Sequence, residues 1–335
     1  MARTATRLPV HLLFDIDHTL VHPIHARATT KGPNAGGLRP GQLLPSGDSA
    51  AKTSWPLSYS TSTNGATDAR ITSVLLRPHV VSLLSQILCR RALDTSEVCV
   101  HVSLYTRQCA AYCAAVAQQV LLPALHAGNE GGGGGARVHG LYSAEQCVRG
   151  ASVTLDWRST LSHAPAHPAS DLDGRGGAVV VVEPEWCKTI GVSPWPLTTL
   201  LVDDRSANLR AAELRTGHGV LVPSYYADSV EGTADDCFAV PSRDHLHDRV
   251  HRHPREPDTT TPVRLMDIFE AFVQCCHDHR ATIEDITDAS ATARALSPDA
   301  LLAEFDFFDR SPRYRRHWNA FHSDCEDLLH CCLTC

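Results

Sequence analysis

The chain has 335 residues, of which 43% are hydrophobic and 20% charged, and its formal net charge at pH 7 is −7. This length can bury a sizeable core, so we expect one main domain with a smaller appendage. The acidic balance argues against direct nucleic-acid binding, which needs a basic surface. Apolar runs fall short of the roughly eighteen residues that span a bilayer, which argues against a membrane protein.

The first predicted element is a buried strand that ends in Asp15-Ile16-Asp17-His18-Thr19. Residues i and i+2 of a strand point to the same side, so Asp15 and Asp17 are expected to lie close together. Adjacent carboxylates repel each other unless a cation or a shared proton relieves them, and Mg²⁺ is the natural cation. An aspartate can also attack phosphorus while a second carboxylic acid protonates the leaving oxygen. An ordinary strand end followed by a polar turn is the alternative, because so short a motif also occurs by chance.

Residues 23–70 are rich in Gly, Pro, Ser and Thr and lack apolar periodicity. They predict a long, partly disordered insertion before a helix that starts near Pro78. Residues 98–106 are apolar and β-branched, which predicts a second buried strand that ends at the hydroxyl of Thr106. An alanine-rich stretch of helical character follows this strand.

Residues 128–177 predict a second, partly flexible insertion, because they include a glycine run and a stretch rich in Pro, His and Gly. Lys188 follows in a predicted loop, where a lysine is ordinarily a solvated surface charge. Residues 198–206 then repeat the pattern of an apolar strand followed by carboxylates, here Asp203 and Asp204.

Strands that alternate with helical stretches predict an α/β fold, with a Rossmann-like parallel sheet flanked by helices. Ligands of such sheets bind at the carboxyl ends of the strands. Asp15, Thr106, Asp203 and Asp204 all follow predicted strands, so we expect them to meet at one edge of the sheet.

The composition changes again after the main domain, which we assign to residues 1–241. Residues 242–262, dense in His, Arg, Asp and Pro, predict a linker, and residues 263–335 predict a helical C-terminal extension. Apolar residues at helical spacing are expected to dock this extension on the main domain. They include Leu265, Ile268, Phe269, Phe272, Tyr314, Trp318 and Phe321.

The chain contains 13 cysteines and 20 histidines. We expect reduced thiols in an intracellular protein, since several cysteines fall on predicted strands or helices. The C-terminal end is rich in zinc-ligand residue types, but only Cys332-x-x-Cys335 has a spacing that resembles half of a structural zinc site. Thiols such as Cys276 are explained equally well as small core residues on helices.

The four motifs together resemble those of the haloacid dehalogenase superfamily of phosphotransferases: Asp-x-Asp-x-Thr, a Ser or Thr after a strand, a Lys, and an acidic pair. Within it the chain is similar to the phosphatases of the RNA polymerase II carboxy-terminal domain and their small relatives. The resemblance covers about residues 8–226. Three segments carry the narrower resemblance: Asp15-Ile16-Asp17-His18-Thr19-Leu20-Val21-His22, Leu76-Arg77-Pro78-His79-Val80 and Val202-Asp203-Asp204-Arg205-Ser206.

The resemblance implies roles for these residues. Asp15 would be the nucleophile, and Asp17 the general acid and then the base for the hydrolytic water. Thr106 would bind a phosphoryl oxygen, and Lys188 would pair with the phosphate and orient Asp15. The implied Mg²⁺ ligands are Asp15, Asp17 through its backbone carbonyl, and Asp204 with or without Asp203.

The resemblance also implies a substrate, phosphoserine or phosphothreonine in a protein such as the RNA polymerase II carboxy-terminal domain, and a nuclear or cytoplasmic location. The C-terminal helices would offer a surface for a protein partner. One alternative is a small-metabolite phosphatase of the same fold. Another is a non-catalytic scaffold, although scaffold relatives usually lack an acidic residue that this chain retains. The segment after Thr106 keeps only the family's tyrosine spacing, at Tyr112, which leaves substrate choice open.

Overall fold

The computed structural model describes residues 7–24, 54–63, 66–127, 136–156, 178–225, 261–293 and 298–330, and every structural statement below concerns these residues. The strands are β1 (Leu8–Asp15), β2 (Val21–Ile24), β3 (Ser54–Thr63), β4 (Ala66–Leu76), β5 (Val98–Tyr105), β6 (Gly140–Tyr142), β7 (Val148–Asp156), β8 (Ala178–Cys187), β9 (Thr199–Asp203) and β10 (Gly219–Leu221).

The helices alternate with these strands in the first part of the chain and then follow one another at its C-terminal end. They are α1 (Val80–Leu84), α2 (Ala110–Val116), α3 (Leu122–Ala127), α4 (Ala211–Arg215), α5 (Thr261–Asp278), α6 (Arg280–Ala293), α7 (Pro298–Glu304), α8 (Phe307–Arg310) and α9 (Pro312–His330). Wider helical turns at Ser85–Cys89 and Ala117–Leu121 extend α1 and join α2 to α3.

The central sheet has five parallel strands in the order β10-β9-β1-β5-β6. The chain starts at the central strand, builds outward through β5 and β6, and then returns to add β9 and β10 on the other side. Strand order therefore reverses beside β1, and the crevice at the carboxyl ends of β1 and β9 is where such sheets bind ligands. The predicted α/β class with a parallel sheet flanked by helices is confirmed.

Both faces of the sheet are buried, as expected of a parallel sheet. Alternate residues of β1 divide between the two faces. Val10, Leu12 and Phe14 join the larger core, whereas Leu13 packs in a smaller cluster with Leu201. Because β1 is buried on both faces, its neighbours fix its position and, with it, the position of Asp15 at its end.

The helical stretch from Ala110 to Ala127 corrects one expectation from composition. By length and apolar content, it is one helix in the described part of the chain that could cross a membrane. Half of this 18-residue stretch is buried inside the protein. Val116, Val120 and Leu121 belong to the larger core, so packing explains its apolar character.

The predicted insertion at residues 23–70 is wrong in part. Its described portion forms an antiparallel sheet in the order β2-β4-β3, whereas residues 25–53 lie outside the described residues. Leu57 is fully buried, and Tyr59 packs against the larger core. Ser58 exchanges two hydrogen bonds with the side chain of Gln119, at 3.0 and 2.8 Å, so β3 is attached to the helical stretch after β5.

The second predicted insertion, residues 128–177, is also partly ordered structure. It contains β6, which belongs to the central sheet, and β7, which pairs antiparallel with β8. Residues 128–135 and 157–177, including the glycine run, lie outside the described residues.

The helical C-terminal extension is confirmed. Phe269 of α5 makes an edge-to-face contact with Phe14 of β1, with 5.6 Å between ring centroids. Helix α9 lies along the outer edge of β10. There Tyr314 donates to the Gly217 carbonyl at 2.6 Å, and Trp318 Nε1 donates to the Gly219 carbonyl at 2.9 Å. Most of the predicted linker lies outside the described residues, and the division into domains stays a prediction.

Candidate active site

Strand register brings the predicted site residues to one level at the carboxyl edge of the sheet. Asp15 is paired with Tyr105, the last residue of β5, and Thr106 follows directly after that strand. On the other side Phe14 is paired with Val202, which places Asp203 next to Asp15. Three residues distant in sequence thus meet because parallel strands end together.

Lys188 completes this group, and its ammonium lies between two carboxylates. Lys188 Nζ contacts Asp15 Oδ1 and lies 2.6 Å from Asp203 Oδ2. The lysine side chain is 0% exposed, so its interpretation as a solvated surface charge is wrong. Burial lowers the pKa of Lys188, but Asp15 and Asp203 outweigh that effect and keep the pKa above its ordinary value.

The segment that carries Lys188 is fixed by buried hydrogen bonds. It follows β8 directly, and the Lys188 amide donates to the Asn208 carbonyl at 2.7 Å. Two residues later, the Ile190 amide donates to the carboxylate of Glu213 at 2.8 Å. Glu213 is fully buried, and burial raises its pKa to about 7. These backbone hydrogen bonds therefore fix the position from which the Lys188 side chain reaches the site.

Asp15 is held at both oxygens. Lys188 contacts Oδ1, and the Thr19 hydroxyl donates to Oδ2 at 3.0 Å. Burial raises the pKa of Asp15 well above its ordinary range; Lys188 opposes this rise, and Asp203 and Asp204 add to it. Such a carboxylate is costly as an anion until further positive charge arrives.

Asp17 lies beyond the end of β1 and has partners of its own. The hydroxyl of Tyr112 donates to Asp17 Oδ1, and the hydroxyl of Thr106 donates to Oδ2 at 3.3 Å. Thr106 in turn accepts a hydrogen bond from the Gln108 amide at 3.0 Å. The two aspartates of the motif thus have separate surroundings, one facing Lys188 and the other facing hydroxyls.

Asp15, Asp203 and Asp204 each offer a carboxylate oxygen within 4.8 Å of the others, an arrangement that can hold a metal ion. Asp204 accepts from the Ser224 hydroxyl at 2.7 Å. Burial, and then the neighbouring Asp203, raise its pKa to about 7. Carboxylates outnumber the buried ammonium here, and hard cations such as Mg²⁺ bind carboxylate oxygens, so the donor set fits a divalent cation.

A hydrogen-bonded chain supports Asp203 from behind. Its Oδ1 accepts from the Asn208 side chain at 2.9 Å and from the Arg205 amide at 2.8 Å. Arg107, whose side chain reaches the same region from the segment after β5, donates to Asn208 Oδ1 at 2.9 Å. These contacts fix the direction in which Asp203 faces Lys188.

The structure therefore places Lys188, Asp203 and Asp204 around Asp15, and joins the side chains of Asp17 and Thr106 by a hydrogen bond. The predicted metal contact through the Asp17 backbone carbonyl stays a prediction. Cys275 and Cys276 are buried in the larger core, as expected of core thiols, and Cys332 and Cys335 lie outside the described residues.

Sequence reasoning missed three residues that fix the site. Tyr112 was noted only for its spacing from Thr106, and Asn208 and Thr19 were not assigned a role. The role of Thr19 could have been predicted from the sequence, because it completes the Asp-x-Asp-x-Thr motif four residues after Asp15. Tyr112 and Asn208 act across the fold, and local sequence carries no sign of such contacts.

Comparisons with known proteins add little to this geometry. No family model matches the chain, and no curated protein matches it. A solved structure of the fission yeast RNA polymerase II CTD phosphatase Fcp1, an arginine-to-alanine variant bound to beryllium fluoride, is similar at 14% identity with a TM-score of 0.36, covering 88% of this chain and 69% of that chain. A TM-score this low does not support an inference about function, so the function is inferred from the site itself.

Proposed function

We propose that this chain is a magnesium-dependent phosphatase that uses Asp15 as its nucleophile. The observation that carries the proposal is the fully buried Lys188 ammonium between Asp15 and Asp203, at the point where strand order reverses. A structural salt bridge needs one carboxylate, whereas phosphoryl transfer needs a nucleophile, a cation and metal ligands in one place.

Asp15 is pre-oriented for attack on phosphorus. Lys188 and Thr19 hold its two oxygens, which limits rotation of the carboxylate before the substrate arrives. Lys188 also offsets negative charge on the attacking oxygen and on the phosphoryl oxygens. Electrostatic stabilisation of this kind, set up in advance, is a main source of rate in phosphoryl transfer.

Asp17 moves the proton. In the first half-reaction Asp15 forms a bond to phosphorus while the leaving oxygen takes the Asp17 proton. In the second half-reaction water attacks the phosphorus of the aspartyl phosphate and gives a proton to Asp17, while the bond between Asp15 and phosphorus breaks and inorganic phosphate leaves. Thr106 lies next to Asp17, and its single hydroxyl proton, which Asp17 Oδ2 accepts in this structure, would turn to a phosphoryl oxygen once the substrate binds.

Asp15, Asp203 and Asp204 would hold the cation. Mg²⁺ bound there would offset the charge of the phosphoryl oxygens and orient them for in-line displacement. The excess of carboxylates over cations in the described site supports this requirement, because the carboxylates repel one another without it.

The proposed substrate is phosphoserine or phosphothreonine in a protein, such as the RNA polymerase II carboxy-terminal domain. Support for this choice comes from the motifs shared with that phosphatase family. A nuclear or cytoplasmic location and a protein partner on the C-terminal helices belong to the same proposal.

The first experiment is hydrolysis of an aryl phosphate with Mg²⁺, with a chelator, and with Mg²⁺ restored. We expect turnover only when Mg²⁺ is present; turnover that persists in excess chelator would contradict the metal assignment. A screen of phosphopeptides against phosphometabolites then tests the substrate. Higher kcat/KM for phosphopeptides is expected, and a clear preference for a metabolite would replace the protein substrate with a small molecule.

A further inference from the structure

Asp17 is held by hydroxyl groups on both of its carboxylate oxygens. The Tyr112 hydroxyl contacts Oδ1, and the Thr106 hydroxyl lies 3.3 Å from Oδ2. Each carboxylate oxygen accepts more than one hydrogen bond, so these contacts leave room for proton transfer to a substrate. They do restrict the direction in which the carboxylate faces.

Tyr112 is itself fixed by burial and by a neighbouring ring. It lies on α2, is 4% exposed, and belongs to the larger core. Its ring makes an edge-to-face contact with Tyr59 of β3, with 5.4 Å between centroids. Burial raises the pKa of Tyr112 far above its ordinary value and Asp17 adds to the rise, so the phenol keeps its proton and remains a donor.

We propose that Tyr112 is a positioning residue that holds Asp17 in place for proton transfer in both half-reactions. This inference rests on the proposed function, in which Asp17 is the general acid and base. Tyr112 does not itself touch the reacting atoms. Its chemical contribution is a hydrogen bond that strengthens as Asp17 loses its proton.

The proton balance explains why that bond affects the rate. As the bond between phosphorus and the leaving oxygen breaks, the Asp17 proton moves to that oxygen and negative charge develops on Asp17. The Tyr112 hydroxyl stabilises this charge more than it stabilises the neutral acid, since hydrogen bonds to charged groups are the stronger ones. The water that later attacks phosphorus returns a proton to Asp17, which restores the starting state.

The contribution of Tyr112 must therefore depend on the leaving group. A poor leaving group, such as the alkoxide of a serine, needs full protonation, whereas a nitrophenolate departs with little. A residue that only supports the fold would lower the rate of all substrates by the same factor.

The test is Tyr112→Phe, which removes the hydroxyl and keeps the ring against Tyr59. The readout is kcat/KM, because it reports only the steps up to departure of the leaving group and not the hydrolysis of the aspartyl phosphate that both substrates share. We expect kcat/KM for alkyl phosphates to fall by about 10- to 100-fold, the range for losing a hydrogen bond to a charged group. The fall in kcat/KM for a nitrophenyl phosphate should be several-fold smaller. The matched control is Tyr105→Phe, which also removes a buried phenol hydroxyl, one that donates to the Gln146 carbonyl at 2.8 Å.

For the control, any loss should be equal across leaving groups. Equal losses for both substrates in Tyr112→Phe would overturn the inference while leaving the phosphatase intact. An inactive wild-type protein, or an active Asp15→Asn variant, would instead mean that the proposed function has failed. If Tyr112→Phe does not fold, Tyr59→Leu loosens the Tyr112 ring without touching its hydroxyl. A smaller loss that still depends on the leaving group is then expected, and a uniform loss overturns the inference.

Discussion

Polar groups are arranged differently at the carboxyl edge of the sheet and at its outer edge along β10. At the carboxyl edge, Asp15, Asp203 and Asp204 lie within 4.8 Å of one another, and burial and mutual repulsion raise the pKa of Asp15 and Asp204. Along β10, neutral side chains of α9 satisfy backbone groups singly, as Trp318 does for the Gly219 carbonyl.

This difference distinguishes polar groups whose charge is left unbalanced from polar groups that stabilise the fold. At the outer edge, side chains of α9 pair with the Gly219 carbonyl and the Leu221 amide, backbone groups that an uncovered strand edge would leave unpaired. The carboxyl edge carries excess negative charge, which stability alone does not explain. Changes at the carboxyl edge should therefore alter activity, and changes at the outer edge should alter stability.

The largest expected effect is that of Asp15→Asn. The amide is nearly the same size but cannot attack phosphorus, so we expect turnover to fall by at least about 10⁴-fold, as for other nucleophile replacements. The melting temperature should not fall, because one of several like charges is removed. Steady-state hydrolysis of an aryl phosphate and a thermal melt measure both. Residual activity within about tenfold of wild type would show that Asp15 is not the nucleophile.

Removing a metal ligand gives the second effect. Asp204→Ala should raise the Mg²⁺ concentration needed for half-maximal activity by about 10- to 100-fold or more. A readout that does not depend on activity is the rise in melting temperature with Mg²⁺, since a ligand at 100 times its Kd stabilises by about 2.7 kcal/mol. The variant should lose most of that rise at the same Mg²⁺ concentration. An unchanged Mg²⁺ response in the variant would remove Asp204 from the site.

The sequence predicted the carboxyl edge better than its surroundings. Asp15 and Asp203 could be placed because each ends an apolar strand, and parallel strands end at one edge. Lys188 was placed only by resemblance, since nothing local shows that its side chain is buried. Tyr112 meets Asp17 across a sequence separation of 95 residues, which no local pattern encodes.

The β3 strand was missed although its signal was present. Trp55, Leu57 and Tyr59 alternate with Pro56 and serines, which is the period of a half-buried strand. The abundance of Ser and Thr around them indicated disorder by composition, and tertiary contacts decided otherwise. The length of the apolar helix from Ala110 to Ala127 was underestimated from the sequence, which showed only a shorter alanine-rich stretch. Composition also does not show which side of a helix is packed.

The outer edge provides the third prediction. Trp318→Phe keeps an aromatic ring but leaves the Gly219 carbonyl without its indole donor. We expect a loss of about 1–3 kcal/mol in the free energy of unfolding, with kcat unchanged for the folded protein. Urea unfolding measures the loss. Arg316→Gln, an exposed change on the same helix, is the control and should stay within about 0.5 kcal/mol of wild type. Loss of activity without loss of stability would reverse the roles of the two edges.

The smallest effect is the pH dependence contributed by His322 at the outer edge. Its Nε2 accepts from the Leu221 amide at 3.1 Å, and its Nδ1 donates to the Trp318 carbonyl at 2.7 Å, so the ring must be neutral. Burial lowers its pKa from 6.5 to about 4. Because the unfolded chain binds the proton first, this contribution to stability is complete above about pH 6.5 and is lost as the pH falls towards 4.

The slope from one such group approaches about 1.4 kcal/mol per pH unit between those values. His11 and His218 also have pKa values lowered by burial, each to about 3, so the wild-type slope is not due to His322 alone. His322→Gln isolates its share, because the amide can still donate and accept but does not titrate. We expect the variant to lose less stability than wild type when urea unfolding is moved from pH 6.5 to 5. Equal losses would mean that Leu221 does not depend on a neutral imidazole, and that the outer edge is less closed than its hydrogen bonds indicate.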